Sequence, residues 1–163
     1  EQMLREILDP VLAGLRQNSH QQTPDNQPDH ANCRVSERLE SLMLTYYSIM
    51  APNPGLARLI QRVLHTEKNT PSYQIVQRVF DDIHHLSRLW IQKMLVDAGH
   101  LRPDVDPMMA RLSLVSLMVF PLLAPPVFME NSGISLKPGD VERLVKHNVS
   151  LLRIALFVPE HPE

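Results

Sequence analysis

Glycine is scarce: there are five in 163 residues, none in G-x-G spacing, which excludes the usual phosphate-cradling loops. Cysteine is scarcer still. Cys33 stands alone, so an intrachain disulfide and Cys-rich zinc modules are excluded, and a reducing, cytoplasmic setting fits. Excess positive charge is also missing. Sixteen Lys and Arg against eighteen Asp and Glu leave a net charge of −2, so the chain lacks the basic footprint of a self-sufficient nucleic-acid-binding unit. No G-x-S-x-G, H-E-x-x-H, paired-cysteine or Walker pattern occurs, so no catalytic residues are assigned and no enzyme is expected. Strand-like alternation and internal repeats are absent as well.

One uncharged run needs a membrane check. Leu112 to Met129 carries no charge, but it contains Pro121, Pro125 and Pro126 and follows Arg111 directly. A buried helix ending near Pro121 is the expectation, with no membrane partner. The opening Glu1-Gln2-Met3-Leu4-Arg5-Glu6 reads as a charged helix start, not a signal peptide. With no methionine at position 1, the natural chain is expected to continue upstream.

What is present is helical. With 44% hydrophobic and 21% charged residues, the composition is that of one globular domain. Asn53-Pro54, Thr70-Pro71 and Asp106-Pro107 each pair a capping side chain with a proline suited to the first helical position. Leu56, Leu59, Ile60, Val63 and Leu64 then form the stripe of an amphipathic helix. The preceding helix is expected to begin near Ser36, to carry Leu39, Leu42, Met43, Tyr46, Ile49 and Met50 on one face, and to stop at Pro52. The helix after Thr70 should run to about Ala98, with Gly99 as a left-handed cap. The Asp106 helix is apolar all round and therefore must be buried all round, most easily under a second subunit. A last helix, about Asp140 to Phe157, carries Asn148 in the middle of an apolar face. Residues 1–16 form an amphipathic helix kinked at Pro10, residues 17–34 a flexible polar loop, and 35–158 the helical body.

Several constellations bear on function. Eight histidines invite a metal, but His84 and His85 point about 100° apart on a helix, and His20, His30 and Cys33 lack a fourth ligand. No metal or other cofactor is expected. On the long helix, Val76, Val79, Ile83, Leu86 and Trp90 read as core. A mixed stripe of Phe80, His84, Ser87 and Ile91 beside it either walls a small-molecule pocket or bonds locally at the edge of the core. Met43, Tyr46, Tyr47 and Met50 offer a second wall or ordinary packing. Asn148 either fixes register across a two-fold axis or bonds within its own subunit.

The order of these segments resembles a known family. Ala98-Gly99-His100-Leu101-Arg102-Pro103-Asp104-Val105-Asp106-Pro107, followed by an apolar helix, resembles the junction in the effector-binding domains of tetracycline-repressor (TetR) family transcription regulators. Asn53-Pro54-Gly55-Leu56-Ala57-Arg58-Leu59-Ile60-Gln61-Arg62 is similar to that family's short effector-domain helix, and Val141 to Leu156 to its last helix. The resemblance implies an all-α, antiparallel bundle of about six helices, forming a homodimer through its last two long helices. It also implies a small apolar or aromatic effector, and operator DNA bound through an N-terminal helix-turn-helix that these residues lack. Effector binding would release the operator, with residues 1–16 as the linker that transmits the motion. The effector pocket expected on this reading is Met43, Tyr46, Tyr47, Phe80, His84, Ser87, Ile91 and Met94. The dimer interface expected is Leu112, Val115, Val119, Leu144, Asn148, Leu151, Leu152 and Ala155. The alternative function is a free-standing helical adaptor or small-molecule carrier without DNA binding.

Overall fold

The computed structural model describes residues 31–65 and 68–159, together with Glu6, Asp9, Pro10, Leu12, Ala13 and Arg16. Those six early positions are helical, with Leu12 buried and the other five exposed, as an amphipathic helix requires. Most of the expected polar loop, residues 17–30, lies outside the described residues. The fold is an all-α bundle, and no strand occurs among the described residues.

Helix α1 (Ala31–Met50) starts before the expected Ser36, so residues 31–34 belong to the helix and not to the loop. Ser36 is therefore interior, and its buried hydroxyl makes no hydrogen bond. Val35, Leu39, Leu42, Met43, Tyr47 and Met50 form its buried face. Helix α2 (Pro54–Leu64) buries Ala57 and Ile60, while Leu59, expected in its apolar stripe, is 57% exposed. Asn53 does not cap α2. Its side-chain amide instead donates to the Ile49 carbonyl at 3.4 Å, closing the end of α1.

Helix α3 (Pro71–Ile91) is capped as expected: Thr70 Oγ1 accepts from Tyr73 N–H at 3.2 Å. It continues through a wider π-helical turn, Gln92–Val96, and closes at Gly99. Gly99 adopts φ +73°, where a side chain would be strained, and the His100 and Leu101 amides both return to the Leu95 carbonyl. Helix α4 (Pro107–Leu123) is capped by Asp106, whose carboxylate accepts from Met108 and Met109 N–H at 2.7 and 3.2 Å.

Helix α4 ends at Leu123, two residues beyond Pro121, which is buried inside its last turn. Within the single chain it is covered on one side only, with Met108, Met109, Leu112, Val115 and Phe120 all exposed.

Helix α5 (Pro126–Asn131) is short, and α6 (Pro138–Leu156) starts two residues before the expected Asp140. Asp140 instead accepts from the Ser135 hydroxyl and amide and pairs with Arg143. These bonds, the Ser135 hydroxyl foremost, hold its carboxyl below the usual carboxylate range.

Helix α1 packs most extensively against α6, and α2, α3 and α4 pack on one another. An antiparallel bridge between Leu101 and Phe157 ties the α3–α4 connection to the end of α6, with Arg102 N–H donating to Leu156 O at 2.9 Å. Among the described residues, no helix is long and apolar enough to cross a membrane.

Candidate functional site

A cavity of about 230 Å³ opens where α1 to α4 meet. For scale, an apolar cavity of about 150 Å³ already admits benzene. Leu42, Tyr46 and Met50 of α1 and Ala57, Ile60, Gln61 and Leu64 of α2 form two walls. Phe80, Ile83 and Ser87 of α3 form the third. Helix α4 closes the fourth with Leu114, Val115, Met118, Val119 and Leu123. Helical periodicity makes this possible, since each helix turns one apolar strip inward at i, i+3/i+4 and i+7 spacing. Gln61 and Val115 are exposed and stand at the rim.

The lining is almost wholly apolar. Its polar groups are Tyr46, Ser87 and Gln61, and among the described residues no charged side chain lines it. Ser87 Oγ–H donates to the His84 carbonyl at 3.0 Å, leaving its oxygen free only to accept. Burial pushes the Tyr46 phenol up to about 12, so at neutral pH it is an O–H donor. Its ring meets that of Tyr47 edge to face at 5.7 Å.

The structure brings Tyr46, Phe80 and Ser87 together on the cavity wall, as the pocket reading requires. It does not bring the other five expected residues there. Met43, Tyr47, Ile91 and Met94 are buried in the surrounding core, with the Met94 sulfur accepting from Arg38 at 3.6 Å. His84 is exposed and turned away. The cavity faces the Ile83 side of α3, and on a helix the next residue points about 100° further round. There the Arg111 guanidinium meets the imidazole, with Nη2 2.6 Å from Nδ1. A guanidinium can only donate, so the ring nitrogen accepts. The α2 and α4 walls went unassigned in the sequence, although their apolar stripes were visible. Nothing in a stripe says whether it meets a neighbour or a void.

The residues expected at a dimer interface also divide. Leu112, Val115, Leu151 and Ala155 are exposed on α4 and α6, and Leu144 is half-buried. Exposed Met108, Phe120 and Ile154, not assigned from sequence, extend that apolar surface. Val119 is half-buried and lines the cavity. Leu152 and Asn148, each 3% exposed, face the chain's own core and present nothing outward. Asn148 Nδ2–H donates to the Leu117 carbonyl at 3.2 Å, which satisfies it within its own chain. Of its two readings, the bond within the subunit is the one observed.

No protein-family model and no curated protein matches the chain.

Proposed function

We propose that this chain is the ligand-sensing and dimerisation domain of a TetR-like transcription repressor, releasing operator DNA when a small, largely apolar effector enters the cavity. The cavity carries this reading. It is large enough for a one- or two-ring molecule, its wall is apolar on four sides, and Tyr46, with Gln61 at the rim, offers donors to orient a ligand. With no charge in the wall, the buried part of the effector must be neutral, because an ion moved there would lose its hydration uncompensated.

The exposed apolar surface of α4 and α6 supports the homodimer, since a second copy would cover Leu112, Leu151 and Ile154. Operator contact belongs to a helix-turn-helix outside these residues. The same surface also suits an adaptor that docks on a different protein, and the oligomeric state separates the two readings. Sedimentation of the sensor gives a homodimer at micromolar concentration, whereas a monomer under those conditions favours the adaptor.

The pocket is tested by calorimetric titration with the two-ring fluorophore 1-naphthylamine, which is neutral at pH 7. Phe80→Ala removes an aromatic wall and should weaken binding about tenfold or more while leaving the oligomeric state intact. Equal affinity in the variant would remove Phe80 from the site.

A further inference from the structure

A proline has no N–H to offer the carbonyl four residues before it, so Pro121 leaves Leu117 O without its helical partner. Two side chains supply the missing donors. Tyr47 Oη–H reaches that oxygen at 3.3 Å and Asn148 Nδ2–H at 3.2 Å. Tyr47 is 1% exposed and Asn148 3%, so bulk water is not at hand to replace either donor. In so dry a setting an unmet carbonyl is costly, and one oxygen atom therefore ties together α1, α4 and α6.

The position of this joint gives it its meaning. Leu117 lies on α4 between Leu114 and Val115 on one side and Met118 and Val119 on the other, all four of which line the cavity. Tyr47 directly follows Tyr46, another wall residue, and their rings are in contact. Asn148 sits on α6, whose outward side carries Leu151 and Ile154. Two cavity walls and the helix bearing the exposed surface thus meet at one polar point.

We infer that the Leu117 carbonyl, held by Tyr47 and Asn148, is the joint through which filling of the cavity moves α6. The inference rests on the cavity being a ligand site. A ligand that parts Tyr46 from Val119 displaces α1 against α4. Apolar surfaces tolerate small slides, but a directional bond already longer than 3.0 Å weakens steeply with further stretch. The Tyr47 bond therefore passes the motion of α1 to the Leu117 carbonyl, and the Asn148 bond passes it on to α6.

The test follows amide hydrogen exchange along the whole chain, with and without bound 1-naphthylamine, in the wild type, Tyr47→Phe and Asn148→Leu. Bound probe should change protection in α6 of the wild type by about fivefold or more. In both variants the response of α6 should vanish while amides of α1 and α4 beside the cavity still respond. An α6 response as large in the variants as in the wild type overturns the inference, and so does a wild-type α6 indifferent to bound probe. Failure of the probe to bind at all removes the ligand site itself, and it is recognised by the lack of any response in α1 and α4. If Asn148→Leu does not fold, Tyr47→Phe, which loses one oxygen and keeps its ring, decides the matter by the same outcomes.

Discussion

At the scale of single residues, polar atoms placed in apolar surroundings carry the most information. Asn148 is the clearest case. Its place in an apolar seam was legible in the sequence, but its partner was not, because the partner is a backbone oxygen freed by a proline 27 residues earlier. Asn148→Ala should destabilise the fold by ~1–3 kcal/mol in urea unfolding, the cost of leaving a buried acceptor short of a donor. Pro121→Ala in that background restores an N–H beneath Leu117 O and should recover part of the loss. No recovery would mean that the carbonyl is not what Asn148 serves. Tyr46 makes a separate prediction. Its folded phenol titrates near 12, above the ordinary value of 10.0. Its contribution is therefore fully present below pH 10 and is lost as the unfolded chain ionises first, between about pH 10 and 12. The urea midpoint should fall across that window, and less steeply in Tyr46→Phe.

At the scale of elements, capping was legible where the side chain could act in only one way. Asp106 is a pure acceptor, and it caps α4 through two amides as its sequence position foretold. Asp106→Ala should cost ~0.5–2 kcal/mol by loss of that cap, measured as a drop in the unfolding midpoint. Asn53 can donate as well as accept, and it turns back to finish α1. Pro121 lies inside α4 for a related reason. Proline stops a helix when the freed carbonyl has no other donor, and here Tyr47 and Asn148 approach from other helices. No local reading of the sequence contains that fact. The same limit applies to α3, where the apolar stripe was plain but the direction of the cavity was not, so His84 was placed in a wall that Phe80, Ile83 and Ser87 form without it.

At the scale of the whole molecule, the helical bundle followed from periodicity and punctuation, whereas the void inside it did not. Packing stripes specify which faces meet, but a cavity arises from the small mismatch left when four of them converge. The surface is equally a property of the whole. Helices α4 and α6 each bury one side and leave Leu112, Leu151 and Ile154 in solvent. A double substitution, Leu112→Glu with Ile154→Glu, should dissociate the proposed homodimer in sedimentation while the helical circular dichroism stays unchanged. A dimer surviving that change would place the interface elsewhere.

Titration of 1-naphthylamine into the wild type and into Ala57→Trp is the most direct measurement of whether the cavity is a ligand site. The new indole would start from a buried position on the cavity wall and fill the space the probe needs. The expected result is saturable binding of one probe per chain in the wild type and its loss in the variant, with both proteins folded. Absence of saturable binding, or binding of equal strength in the filled variant, would contradict a sensing role for the cavity.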